Sequence, residues 1–368
     1  MLSPAHRLIP IYAAVAELPS LPRAASGDGT LDKLARPLRD LRISLTDRCN
    51  FRCTYCMPKE VFGTGYQYLP HERILSFEEI ERLTRAAVSL GVTKIRLTGG
   101  EPLLRKGIEV LVGQLTRLRT PDGDPVDVTL TTNGSLLRQK AKSLREAGMT
   151  RITVSLDALD QRVFSTMSGS ATDVTAVLDG IDAARDLGFS PIKINTVVRR
   201  GVNEDEVIPI VRRFRGTGVI PRFIEFMDVG STNHWELRDV VPSSELVRRI
   251  EMVYPLASSG TRPGRATSRT YDFADGSGHV GFISSVTEPF CADCSRLRLT
   301  ADGRLFTCLF GADGFDVRSA LQRDADQPEL ERILRGVWSG RSDRYSESRG
   351  SEGGATAAHH AEMSLLGG

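Results

Sequence analysis

The chain has 368 residues, 40% of them hydrophobic and 26% charged, with a formal net charge of +2. This is ordinary composition for a globular protein, long enough for one large core and a smaller appendage. The near-neutral charge gives no indication of a nucleic-acid partner, and no apolar run reaches the length of a membrane span. Residues 1–33 are rich in Pro, Ser, Ala and Gly, which predicts a loose extension, with a weak signal peptide at Leu8–Leu18 as the alternative.

Short β-branched runs alternate with amphipathic stretches through the first two thirds of the chain. Strands are predicted at Leu41–Thr46, Lys94–Thr98, Val126–Thr131, Ile152–Leu156, Ile192–Val198 and Arg222–Met227. Helices are predicted at 76–90, where Ser76 and Glu79 form a capping box, and at 107–118, 137–147, 174–187, 204–215 and 243–252. Six strand–helix units predict a parallel sheet but are too few for an eight-fold barrel. We therefore expect an α/β fold, a partial (βα)6 TIM-like barrel over residues 34–255.

Polar and glycine-rich segments follow the predicted strands at their carboxyl ends. Asp47–Cys56 follows the first strand, Gly99–Pro102 the second and Thr132–Gly134 the third, while Ser155 and Asp157 close the fourth. Ligands of α/β sheets bind at this edge. The chemistry is expected at this rim.

The pattern changes after about Pro255. A loop rich in Ser, Gly, Arg and Thr is predicted over Ser258–Ser268, followed by short strands at Thr270–Phe273 and His279–Ile283. Residues 256–340 are predicted to form a C-terminal extension that carries the second group of cysteines, and residues 341–368 a flexible tail ending in Gly-Gly. The arginine-rich stretch 261–269 has no assigned role.

The six cysteines fall into two compact groups, far apart in sequence. Three disulfides are an unfavourable interpretation, because cysteines two or three residues apart make poor disulfide partners. Clustered thiolates suit a soft metal, and they indicate a reducing compartment, hence the cytoplasm. The groups are Cys49, Cys53 and Cys56, and Cys291, Cys294 and Cys308.

Each group supplies three thiolates, which leave one iron of a four-iron cluster without a protein ligand. An open iron beside the first group can bind a small molecule through an amine and a carboxylate. A zinc site is the alternative for both groups, but zinc needs a fourth ligand and none lies close in sequence.

The second group encloses a predicted β-hairpin that turns at 301–303 and returns Cys308 to its partners. Arg296 and Arg298 are two residues apart, so both project from one face of the first hairpin strand. Two guanidinium groups in this position suit a polyphosphate. A solvated edge strand that carries charges is the alternative.

The segment Cys49–Cys56, with aromatic Tyr55 before the last cysteine, resembles the signature of radical S-adenosylmethionine enzymes. Thr98–Pro102 resembles the glycine-rich second motif of that superfamily. Two three-cysteine groups at these spacings, with Gly367 and Gly368 at the end, resemble the GTP 3′,8-cyclases of molybdenum cofactor biosynthesis, the MoaA family. The resemblance implies a lyase with two [4Fe-4S] clusters and S-adenosyl-L-methionine that cyclises GTP to 3′,8-cyclo-7,8-dihydro-GTP, the first step of molybdopterin synthesis.

The resemblance also implies roles for single residues. The six cysteines hold the two clusters, and the tail glycines Gly367 and Gly368 act in catalysis. Contacts to S-adenosylmethionine are assigned to Tyr55, Gly100, Ser155 and Met227. Contacts to GTP are assigned to Arg42, Arg96, Thr131, Lys193, Arg296, Leu297 and Arg298.

The cations among these residues support the assignment independently. Arg42, Arg96 and Lys193 lie on separate strands that are otherwise apolar, where a cation is costly to bury unless paired. Each taken singly could belong to a structural ion pair. Together they favour a shared anion.

Partners implied by the resemblance are a flavodoxin- or ferredoxin-like reductant protein, the next pathway enzyme, cyclic pyranopterin monophosphate synthase, and a second copy of the chain in a homodimer. No nucleic-acid or membrane partner is expected. Two other functions stay open at this point. One is a peptide-modifying radical maturase, although such enzymes usually carry more cysteines after the barrel. The other is a zinc-stabilised binding module.

Overall fold

The computed structural model describes residues 15–16, 30–257, 262, 266–349 and 360–367. Most of the predicted N-terminal extension, including Leu8–Leu18, lies outside the described residues. The same holds for Gly368 and for parts of the predicted 258–268 loop and the tail. Among the residues that are described, no helix is long and apolar enough to cross a membrane.

The described strands form a single sheet with a long parallel centre. Its strand order is β1-β12-β11-β10-β2-β3-β4-β5-β6-β7-β9-β8, and every neighbouring pair from β10 to β9 is parallel. The strands are β1 Val15–Ala16, β2 Asp40–Ser44, β3 Lys94–Thr98, β4 Asp127–Thr132, β5 Arg151–Ser155, β6 Ile192–Val198, β7 Val219–Glu225, β8 Arg269–Asp272, β9 His279–Ile283, β10 Arg296–Leu299, β11 Arg304–Phe306 and β12 Gly314–Asp316.

Helices follow the central strands as crossover connections. The first begins at the predicted capping box, in which Ser76 accepts from the Glu79 backbone and the Glu79 carboxylate accepts from Ser76 N. The helices are α1 Phe77–Ser89, α2 Ile108–Thr116, α3 Leu137–Glu146, α4 Gln161–Ser168, α5 Val174–Asp186, α6 Val207–Phe214, α7 Ser243–Glu251, α8 Arg318–Gln322, α9 Gln327–Ser339, α10 Tyr345–Ser348 and α11 Met363–Leu366.

The predicted partial (βα)6 barrel is confirmed by β2 to β7, which lie side by side in sequence order and are all parallel. The C-terminal extension adds a strand at each edge of this unit, with β10 beside β2 and β9 beside β7. The extension is therefore built onto the barrel sheet. The predicted hairpin is also observed, since β10 and β11 pair in antiparallel fashion.

Alternation along the strands separates the core from the cavity. Outward side chains such as Leu41, Ile95 and Leu130 are fully buried in the hydrophobic core beneath the helices. The neighbouring residues Arg42 and Arg96 point to the opposite face and line a cavity. A period of two thus places charged side chains inside the barrel and apolar ones in the layer below the helices.

Candidate active site

All six cysteines line one cavity of about 260 Å³ at the carboxyl ends of the barrel strands. They carry no disulfide bonds. In the part of the chain that is described, no three Cys, His, Asp or Glu side chains converge on a single metal ion. Each thiolate of a four-iron cluster binds a different iron atom, so such thiolates are spaced more widely than the ligands of one ion.

Most residues assigned from the sequence line this cavity as well. Among the described residues three do not: Lys193 lines an adjoining cavity of about 190 Å³, Leu297 is fully buried in the hydrophobic core, and Gly367 belongs to the tail described below. Leu297 alternates with its arginine neighbours on β10, so its side chain faces away from the cavity and only its backbone could meet a ligand there. Those that do line the first cavity are Arg42, Tyr55, Arg96, Gly100, Thr131, Ser155, Met227, Arg296 and Arg298.

The loop of the first cysteine group is held by the turn after β3. A Cβ on Gly100 would overlap the backbone carbonyl of Arg48, so only glycine allows this approach. The Asn133 amide donates to Asn50 Oδ1 at 2.8 Å and lies 3.9 Å from Cys49 Sγ. Burial raises the pKa of the Cys49 thiol to about 11, and a metal would have to displace that proton.

Glu101, the acidic residue of the second motif, is a completely buried carboxylate. It accepts from Asn133 N and Thr132 Oγ1 at 2.7 Å and from Leu103 N at 3.0 Å. Burial raises the pKa of Glu101 to about 7. These bonds tie the ends of β3 and β4 together behind the Cys49 loop.

Tyr55 is oriented by a residue to which the sequence assigned no role. Its hydroxyl donates to Asp157 Oδ2 at 2.8 Å, while Asp157 Oδ1 accepts from Val197 N at 2.9 Å. Burial raises the pKa of Asp157 to about 6. Sequence placed Asp157 at the rim, and the structure shows that it fixes the aromatic ring between two cysteines.

The second cysteine group is assembled around β10 and β11, as the hairpin predicted. Cys291 lies in a 3-10 helix, Cys294 precedes β10, and Cys308 follows β11. Burial opposes ionisation of Cys294, but the guanidinium groups of Arg296 and Arg341 outweigh it and lower its pKa to about 6. This thiol is therefore prepared to bind metal as a thiolate.

The barrel interior next to this group is strongly basic. Among the described residues, six cations line the smaller cavity together with Asp40 and Asp293. Four were predicted and two, Lys94 and Arg222, had been placed only within strands; the four are Arg42, Arg96, Lys193 and Arg296. The Nε atoms of Arg42, Arg96 and Arg222 have no hydrogen-bond partner among the described residues. Buried cations with unused donors indicate an anionic ligand.

The tail enters the same rim. Arg298 donates to the Gly367 carbonyl at 2.7 Å and to the Leu366 carbonyl at 3.3 Å. Glu362 accepts from Ser231 N at 3.1 Å and Thr232 Oγ1 at 3.0 Å. Gly367 therefore contacts Arg298, a residue that lines the cavity, whereas Gly368 is outside the described residues.

Comparison with known proteins identifies the family. Residues 43–214 match the Radical SAM superfamily, and residues 220–347 match Molybdenum Cofactor Synthesis C. A GTP 3′,8-cyclase of Xanthomonas axonopodis is 50% identical over 337 residues, which cover 92% of this chain and 98% of that protein. This chain belongs to the GTP 3′,8-cyclase family. The family includes further relatives, such as GTP 3′,8-cyclases of Acidothermus cellulolyticus, 48% identical over 92% of this chain and 94% of theirs, and Staphylococcus saprophyticus, 43% identical over 86% and 92%.

The fold of this cyclase-family chain is shared with more distant proteins. Streptococcus suis SuiB bound to S-adenosylmethionine matches with a TM-score of 0.58 and 15% identity, over 84% of this chain and 69% of SuiB. At this identity the similarity concerns the fold alone.

The second family match begins within β7, ahead of the predicted domain boundary at 255, and that boundary stays a prediction.

Proposed function

We propose that this chain is a GTP 3′,8-cyclase, which converts GTP to 3′,8-cyclo-7,8-dihydro-GTP with S-adenosylmethionine. One observation carries the proposal: two groups of three free thiols line a single cavity that adjoins a buried basic one. When bound, the first cluster with S-adenosylmethionine supplies reducing, hydrogen-abstracting chemistry, and the second supplies an iron that can take the purine.

The first cysteine group and its neighbours fit a cluster with S-adenosylmethionine. Cys49, Cys53 and Cys56 would hold the cluster, and the backbone at Gly100, which lines the cavity, would receive the methionine amine. Tyr55, held by Asp157, would lie along the adenine, and Ser155 and Met227 line the same cavity. The chain's own contribution is to orient the two ends of this ligand.

The second cysteine group and the basic cavity fit GTP. Cys291, Cys294 and Cys308 would hold a cluster whose free iron takes the guanine. The triphosphate would lie among the cations, because guanidinium groups bind phosphate oxygens in pairs. The Thr131 hydroxyl, which accepts from Arg96 Nη1 at 2.8 Å, would lie beside them. These cations are Arg42, Arg96, Lys193, Arg222, Arg296 and Arg298.

The direct test is an anaerobic incubation of reconstituted protein with dithionite, S-adenosylmethionine and GTP. We expect 5′-deoxyadenosine to form only when GTP is present, together with the cyclised nucleotide, as measured by chromatography and mass spectrometry. Brown protein with about eight irons per chain is expected beforehand. Colourless protein that holds zinc and releases no 5′-deoxyadenosine would contradict the proposal.

Lys193 makes GTP binding depend on pH. Burial, with the nearby Arg222, lowers the pKa of Lys193 to about 7 in the free protein. A triphosphate beside the amine raises that pKa. At pH 8 free Lys193 is mostly neutral and bound Lys193 is protonated, so binding should take up close to one proton, whereas at pH 6 this uptake should vanish.

Calorimetry of GTP binding in buffers with different ionisation enthalpies measures this proton uptake. The Lys193→Met variant should lose the uptake at pH 8, and the matched control Lys142→Met, a lysine whose side chain is 77% exposed, should retain it. Equal proton uptake in both variants would show that Lys193 does not lie beside the phosphates.

Gly367→Ala should impair turnover through the tail. The residue has φ +68° and an added Cβ would overlap Cγ2 of Thr98. A displacement of about 1 Å can cost on the order of 100-fold in rate, so we expect a loss approaching this size. Gly188→Ala is the matched control, because it has φ +77° with open space around it and should keep full activity. Equal rates for the two variants, measured as product formed, would contradict a role for the docked tail.

The remaining partners belong to the same proposal. A flavodoxin- or ferredoxin-like protein would supply electrons, and cyclic pyranopterin monophosphate synthase would receive the product. We propose a cytoplasmic protein, since thiolates of iron–sulfur clusters are maintained in reducing compartments. The homodimer is proposed from the family resemblance alone.

A further inference from the structure

A buried charged network lies behind the second cysteine group. Asp32 comes from the segment predicted to be loose, Arg36 follows it, and Arg341 lies two residues after the end of α9. Their side chains are 0%, 1% and 2% exposed. Asp32 Oδ2 accepts from Arg36 Nε at 2.5 Å and from Arg341 Nη1 at 3.3 Å. Two guanidinium groups thus share one fully buried carboxylate.

Both arginines reach the cysteine loop directly. Arg36 Nη1 donates to the Cys291 carbonyl at 2.8 Å, and Arg341 Nη1 donates to the Cys294 carbonyl at 2.7 Å. Arg341 also lines the cavity that the thiols share. Each of the first two cysteines of the group is therefore fixed through its backbone by a buried cation.

The surroundings hold this network in one geometry. The indole of Trp338 is completely buried, donates to the Arg36 carbonyl at 2.9 Å and lies 4.6 Å from the Arg341 guanidinium. Asp343, 37% exposed, forms the outer ion pair with Arg341 Nε at 3.5 Å. Buried ion networks add little net stability compared with apolar packing, so their retention points to a role beyond folding.

We propose that Asp32, Arg36 and Arg341 are positioning residues for the second cluster and that they set its reduction potential. The arginines fix the cysteine loop and place positive charge beside the centre, and Asp32 partly offsets that charge. Charges and hydrogen bonds around the ligands tune such potentials. The inference rests on the proposed function, because it assumes that the second group of thiols holds a cluster.

The test is a potentiometric titration of the reconstituted holoenzyme followed by electron paramagnetic resonance. Arg341→Gln should shift the potential of the second cluster downwards, because it removes a cation. Asp32→Asn should shift it upwards, because it removes the offsetting anion. Arg341→Lys keeps the charge and should stay near the parent value, as should Arg213→Gln, which removes a half-buried arginine in the helical layer.

Opposite shifts in the two neutralising variants support the inference, since a merely structural role would not reverse sign with charge. Unchanged potentials, or shifts of the same sign, would overturn it. If a buried variant fails to fold, Asp343→Asn provides the same test at a partly exposed carboxylate and should raise the potential. Failure of the proposed function is distinguishable, because the unsubstituted protein would then fail to convert GTP.

Discussion

Replacing Cys53 with Ala should abolish the GTP-dependent formation of 5′-deoxyadenosine and lower the iron content from about eight to about four per chain. Cys53 belongs to the group held by the Asn133 and Glu101 contacts, and its neighbours Cys49 and Cys56 already belong to that group, so neither can replace it. Burial raises the pKa of its thiol well above the usual range. This pocket is therefore unfavourable for a free thiolate, and a bound metal must supply the compensating charge.

The measurement combines iron analysis with chromatographic detection of 5′-deoxyadenosine. GTP affinity should stay close to that of the parent protein, because the basic cavity and the second cysteine group are untouched. Formation of 5′-deoxyadenosine at an undiminished rate in this variant would show that the first cysteine group does not hold the reducing centre.

Cys308→Ala should have the complementary effect. The return strand β11 delivers Cys308 to the second group, so its loss should remove that cluster and again lower iron to about four per chain. GTP should then bind at least about tenfold more weakly, a change of about 1.4 kcal/mol, because the guanine loses its iron ligand while the arginines remain.

Slow cleavage of S-adenosylmethionine that does not respond to GTP should persist in the Cys308 variant. Cys53→Ala and Cys308→Ala control for one another, because both lose about half the iron. Only the first should lose 5′-deoxyadenosine formation, and only the second should lose GTP affinity. Unaltered GTP affinity after loss of the second cluster, measured by equilibrium binding, would remove that cluster from the substrate site.

The sequence predicted the barrel well where the hydrophobic periodicity of an element agrees with the signals for its ends. β3 and β6 have the predicted bounds, and the capping box at Ser76 opens α1. β7 begins at Val219, three residues earlier than predicted. The added residues include Pro221, and a proline is an unfavourable signal for a strand. The proline is tolerated where β9 has not begun to pair, since that pairing starts at Arg222.

Whether a strand residue belongs to the site depends on which face of the sheet its side chain points to, and not only on which strand it lies in. Arg222 could have been found from sequence, because it is a cation in an apolar strand just as Lys193 is. Leu297 was assigned to GTP as part of a continuous segment, although alternation with Arg296 and Arg298 already directs its side chain into the core. The local sequence pattern was therefore sufficient to include Arg222 in the site and to exclude the Leu297 side chain.

Other features could not be read from local pattern. Asp32 lies within residues 1–33, which were predicted to be loose, yet it is fully buried against Arg341, which is 309 positions further along the chain. Tertiary contacts of this length give no periodic trace in a single sequence. α9 was missed for a different reason, since its local signals were present: Asp326 caps it, and its buried apolar residues recur at helical spacing.

The central claim is that GTP and S-adenosylmethionine face each other across one cavity between the two cysteine groups. The most direct measurement supplies GTP that carries deuterium at ribose C3′ and analyses the 5′-deoxyadenosine by mass spectrometry. The geometry predicts that deuterium from GTP is recovered in 5′-deoxyadenosine. Unlabelled 5′-deoxyadenosine formed alongside converted GTP would contradict it.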